Sequence, residues 1–142
     1  MSGAARAMLR MSIGYLLVIW GVDKLVNPAH GLDVSDHFYL GVFTFPGLMP
    51  VFGIAEIILG GLVIVGIWGR YTYPVVVVIA AITAAGVWRS IVDPWGWYLQ
   101  GANALFYPSL IILAASLVLL ADEWQVSTRA RQRPLTNQET FR

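Results

Sequence analysis

Four continuous apolar runs constrain this chain more than anything else in it: Ala7–Val26, Leu48–Trp68, Tyr71–Val92 and Ala104–Ala121. Each approaches the roughly 20 residues that a helix needs to cross hydrocarbon, and none shows the alternation of a barrel strand. A bilayer core offers the backbone no hydrogen bonds, so each run must satisfy its own amides as a helix. The expected fold is all-α: a polytopic membrane protein with a four-transmembrane-helix bundle over residues 1–122 and a polar tail over 123–142. Composition points the same way. The chain is 58% hydrophobic and 12% charged, against about 25% charged in a typical soluble domain, which leaves too little polar surface for a dissolved monomer.

The arginines give the runs a direction. Arg6 and Arg10 precede the first run, Arg70 lies in the turn between the second and third, and Arg129, Arg131 and Arg133 follow the fourth. After an even number of crossings all three groups share one side, which the positive-inside rule assigns to the cytoplasm. The expected location is the cell (inner) membrane of a bacterium, with both termini cytoplasmic. The segments 27–47 and 93–103 then face outward, where Phe38, Tyr39, Phe43, Phe45, Trp95, Trp97 and Tyr98 form an interfacial belt; Trp68, Tyr71 and Tyr73 do the same inside. No small-residue cleavage site follows the first run, so it is read as an uncleaved helix. Pro74 is expected in the first turn of the third helix and Pro108 early in the fourth, with a bend there. The tail carries Pro134 and no apolar periodicity, and is expected to order only on binding.

Several function classes fall away. With no cysteine the chain has no disulfide, no thiolate cluster and no CxxC redox pair. His30 and His37 lie outside the runs, which excludes a haem held by two histidines within the membrane. Electrons passing here need an external cofactor, so none is intrinsic. His30, Asp33, Asp36 and His37 read as solvated loop residues, and no metal site is expected. Basic residues concentrated near the chain ends give no nucleic-acid surface.

The informative residues are the charges inside the runs: Lys24, Glu56 and Arg89. Insertion of a central charged side chain costs roughly 2.5 to 3.5 kcal/mol, so such groups face the protein interior, pair, or mark a functional path. Lys24 and Arg89 lie near outer helix ends and have stems long enough to snorkel. Glu56 is shorter and deeper, so it must be protonated or paired. Gly14, Leu17, Gly21 and Lys24 share one face of the first helix, and Gly53, Glu56 and Gly60 one face of the second. Small residues let membrane helices approach closely, so these two faces are expected to meet and bring Lys24 to Glu56. Arg89 is expected beside them, and Asp23 is a second partner for either base. A ligand is expected in the outer half of the bundle, beneath the Trp95–Tyr98 connection, with Trp88, Trp95 or Trp97 stacking on it.

In Arg10 and Gly14, Gly21-x-x-Lys24, Gly53-x-x-Glu56-x-x-x-Gly60, Gly66 and Arg70, the chain resembles the DoxX family of small membrane proteins. The resemblance covers the first half of the chain, and the second half agrees in its two spans and Trp-rich connection. It implies a four-helix membrane protein found with oxidoreductases, and hence an accessory subunit of a redox or respiratory complex with quinone as its possible ligand. The expected partners are the bilayer and either that complex or further copies of the chain. A structural or assembly protein is the alternative, where the ion pair only fixes helix register. A small proton-coupled transporter using Glu56 ranks behind it, because no internal repeat is evident.

Overall fold

Glycine positions decide which helix faces touch. The computed structural model describes residues 1–38 and 47–139 and contains, among them, helices and turns without a strand. The helices are α1 (Gly3–Val26), α2 (Pro28–Phe38), α3 (Leu48–Val65), α4 (Gly69–Gly86), α5 (Trp88–Val92) and α6 (Pro108–Glu139), with a 3-10 turn over Ala104–Phe106. Four spans are long and apolar enough to cross a membrane: Gly3–Val26, Leu48–Val65, Gly69–Gly86 and Ala104–Thr128. The protein is an integral membrane protein, and the outward apolar faces of these spans contact lipid.

Two helix pairs build the bundle, α1 with α3 and α4 with α6. In the first pair, Gly14 lies against Gly60 and Gly21 against Gly53, so close that a Cβ on Gly21 would stand 2.5 Å from the Gly53 carbonyl oxygen. That distance is below any ordinary contact, so a side chain there would force the backbones apart. The pairs meet in a core of Ile13, Leu17, Val63, Tyr73, Val76, Leu119 and Leu120.

The α3–α4 turn is tight. Gly66 takes the left-handed conformation at φ 81° and donates its N–H to the Leu62 carbonyl, closing α3 in the manner glycine favours. Arg10 packs over Gly66, so the motif's first arginine lies against the end of α3 where helix carbonyls are negative. At the same end Arg6 pairs with Asp122, at 3.3 Å, and with Glu123, tying α1 to α6.

Six expectations need correction. The segment after the first span contains helix α2, because Pro28 supplies a pre-set φ at a first helical position. The third run is broken: α4 ends at Gly86, and Val87 at φ −96°, ψ 20° starts the short α5. Pro74 lies inside α4, beyond the first turn. Pro108 opens α6, where its missing N–H costs nothing. Tyr73 is buried in the core, while Trp68 and Tyr71 stay exposed. The polar tail also differs, because α6 continues through residues 123–139, whose Glu, Gln, Arg and Ala are good helix formers. Tyr39, Phe43 and Phe45 of the expected belt lie outside the described residues.

Candidate functional site

Lys24 and Glu56 follow the glycine contacts by one helical turn each, three residues after Gly21 and Gly53. The close approach at those glycines therefore delivers the two side chains to each other. Lys24 Nζ donates to Glu56 Oε2 at 2.7 Å, with the side chains 24% and 14% exposed. The pair sits where α1 and α3 are already held together, so its geometry is fixed by backbone packing and not by the two long stems.

Beside the pair lies a cavity of about 570 Å³. Leu16, Trp20, Phe52, Ile79, Ile82 and Ile112 give it apolar walls, and Phe106 closes it from the 3-10 turn. Its polar groups are few: Lys24 and Glu56, Asp23 and His30, and the hydroxyls of Ser35, Thr83 and Ser109. All three hydroxyl groups are placed by local bonding or burial, Ser35 by being buried. Thr83 Oγ1 donates to the Ile79 carbonyl at 2.9 Å, and Ser109 is buried. Such a space, apolar with a few convergent polar groups, has the lining of a ligand pocket and falls within the roughly 300 to 1,000 Å³ that such pockets span. A smaller notch of about 190 Å³ is lined by Arg70, Trp124, Ser127 and Thr128, which do not bring an acid and a base together.

The cavity is roofed by α2. Gly31 lies over the stem of Lys24 and against Met49, so α2 rests on both α1 and α3. Asp23 turns away from Lys24 and meets α2 instead, with Asp23 Oδ2 2.7 Å from His30 Nδ1. His30 was expected as a solvated loop residue; it lines the cavity because α2 brings it back over α1. The signal that finds it is Asn27-Pro28, a helix-start pattern immediately after a span.

Arg89 does not join the pair. The break at Val87 turns α5, and the Arg89 guanidinium lies over the Trp88 ring at 5.8 Å, both on the surface. Trp95 and Trp97 stack on each other at 5.3 Å, but they are 70% and 74% exposed and stand outside the cavity. The expected stacking residues are therefore replaced by Trp20, Phe52 and Phe106, and the Trp95–Tyr98 connection is not the roof. What orders that connection is Asp93, whose carboxylate accepts from the amides of Trp97, Tyr98 and Leu99 at 3.1, 2.6 and 2.8 Å. The Tyr98 amide bond does most to hold the carboxyl below the usual carboxylate range; burial opposes it, and the amides of Leu99, Trp97 and Gly96 add to it. Ser90, fully buried, then accepts from the Asn103 amide at 3.0 Å and fixes the approach to the 3-10 turn.

Among the described residues no group of three or more His, Asp or Glu side chains is arranged to hold a metal ion. No protein family, curated protein or solved structure matches the chain.

Proposed function

We propose that this protein is an accessory membrane subunit of a larger oxidoreductase or respiratory assembly, and that its cavity holds a quinone-sized ligand beside Lys24 and Glu56. One observation carries the reading: an acid and a base, paired at 2.7 Å, form one wall of a cavity whose other walls are largely apolar. An ammonium has three hydrogens, and Glu56 takes one. Another is free to donate to a carbonyl oxygen of the ligand. Glu56 keeps lone pairs for a ligand hydroxyl and can exchange a proton with it. Trp20, Phe52 and Phe106 supply flat faces for a ring, and the isoleucines suit an apolar tail. The resemblance to the DoxX family supplies the redox association.

Orientation belongs to the same proposal. Arg6, Arg10 and Arg70 are carried at the end of the bundle opposite Lys24, which supports a cytoplasmic position for that end and an outer-half position for the cavity.

The closed geometry of the ion pair favours a second reading, in which it only staples α1 to α3. The double variant Lys24→Met with Glu56→Leu separates the two, because replacing a buried pair by apolar side chains of similar volume is often neutral for folding. The protein and this variant are purified in mild detergent, and the extracted lipids are assayed for quinone. A ligand site predicts quinone retained by the wild type and lost from the double variant at equal thermal stability. Equal quinone content in both, or none in either, supports the staple.

A further inference from the structure

Asp23 and His30 have no part in the ligand contacts proposed so far, yet both line the same cavity as Lys24 and Glu56. Their arrangement is specific. A carboxylate can only accept, so the 2.7 Å contact between Asp23 Oδ2 and His30 Nδ1 requires the hydrogen on Nδ1. In the neutral ring Nε2 is then the acceptor, and nothing among the described residues is bonded to it. A carboxylate that fixes the tautomer and orientation of an imidazole is the arrangement by which proteins make a histidine an acid–base group. The His30 and Asp23 side chains are 57% and 40% exposed, whereas Lys24 and Glu56 lie deeper.

We infer that the Asp23–His30 pair is the second polar end of the ligand site, and that it distinguishes a quinol from a quinone by the protonation of His30. This rests on the proposed quinone-sized site. Neutral His30 accepts a hydrogen bond from a quinol hydroxyl through Nε2 and has nothing to donate there. Protonated His30, held in place by its Nδ1 contact with Asp23, donates through Nε2 to a quinone carbonyl and can no longer accept. The site therefore prefers the reduced ligand at higher pH and the oxidised ligand at lower pH.

Few other groups could produce this dependence. Lys24 from α1 and Glu56 from α3 face the cavity but are paired with each other. On α2 itself Asp33, Asp36 and His37 are exposed and are not part of the lining. The lining contributed by α4, by the 3-10 turn and by α6 carries no titratable group, only Thr83 and Ser109 among polar residues.

The test uses the full chain in detergent with a decyl-substituted benzoquinone and its quinol as probes. Binding is read by quenching of tryptophan fluorescence, since Trp20 lines the cavity. An imidazole changes charge between about pH 5 and 8. Over that range the wild-type ratio of quinone Kd to quinol Kd should rise with pH by roughly three- to tenfold, the effect of about one hydrogen bond. His30→Gln, which both donates and accepts at every pH, should bind both probes with a flat ratio. A flat wild-type ratio with both probes bound overturns the Asp23–His30 inference and leaves the ligand site standing. The same slope in His30→Gln as in the wild type overturns it too. Failure of the wild type to bind either probe overturns the ligand site, and this inference with it.

Discussion

Replacing Gly21 by alanine should loosen the α1–α3 pair. The new Cβ would lie 2.5 Å from the Gly53 carbonyl oxygen, 2.7 Å from Ile57 Cγ1 and 3.0 Å from the Ile57 nitrogen. The Ile57 side chain can turn aside, but two of the three atoms are backbone. Ordinary contact begins at 3.4 Å, so the helices must separate by about 0.9 Å along that direction. Overpacking of this kind costs about 1 to 3 kcal/mol, or roughly 5- to 150-fold in the folded-to-unfolded ratio. The displacement lies one turn from Lys24 and Glu56, so it also lengthens their 2.7 Å contact. Gly61→Ala is the control, because a Cβ there meets nothing within 4 Å and gains helix propensity of about 0.5 to 1 kcal/mol. Equilibrium unfolding in mixed micelles, followed by circular dichroism, measures both. Gly21→Ala should be destabilised and Gly61→Ala unchanged or stabilised. If the two variants unfold together at the wild-type midpoint, the close glycine contact is not what joins α1 to α3.

Glu56→Leu alone strands Lys24 beside an apolar wall; because the pair is partly exposed the loss should be about 1 to 3 kcal/mol in the same unfolding assay, and Lys24→Met in that background should restore much of it. Asp93 should stabilise its connection only while ionised. Its folded value lies below the ordinary 3.8, so this contribution is complete above about pH 4 and is lost as pH falls from there through the lowered value. Amide hydrogen exchange at Trp97, Tyr98 and Leu99 should accordingly be faster in Asp93→Ala than in the wild type at neutral pH, and unchanged exchange would refute the three-amide cap. Single cysteines at Arg70 and Asp33, in a chain with no cysteine of its own, report topology: an impermeant maleimide applied to intact cells should label position 33 and spare position 70, and the reverse pattern inverts the orientation.

How much of this was legible in the sequence depends on which physical constraint each residue obeys. The four spans follow from length and hydropathy, because a bilayer permits only helices with their own hydrogen bonds satisfied. The meeting of Lys24 with Glu56 was legible for a second reason. A short carboxyl deep in an apolar span needs a partner, and the glycines at 14, 21, 53 and 60 mark the two faces that can approach. Helical periodicity continued through Gly86-Val87 misplaces Arg89, because a glycine at a helix end permits a change of direction. Once that break is made, residues 88–92 no longer share a face with residues 81–85. His30 was missed for the opposite reason: α2 is short and weakly apolar, and only Asn27-Pro28 announces it. The aromatic walls were misassigned to Trp95 and Trp97 because an Asp93-capped connection holds both outward, an arrangement that depends on three backbone amides and leaves little trace in composition.

Photolabelling with an azido-quinone reports where the ligand sits. The full chain is irradiated with the label, digested, and the modified peptides are mapped by mass spectrometry, with an excess of unlabelled quinone as competitor. Competable labelling is expected in the segments that carry Trp20, Phe52 and Phe106, around the Lys24–Glu56 pair, and should be lost in the Lys24→Met, Glu56→Leu double variant. Labelling confined to Trp95–Tyr98 and the lipid-facing helix surfaces, or labelling that persists unchanged in the double variant, would contradict the proposed site.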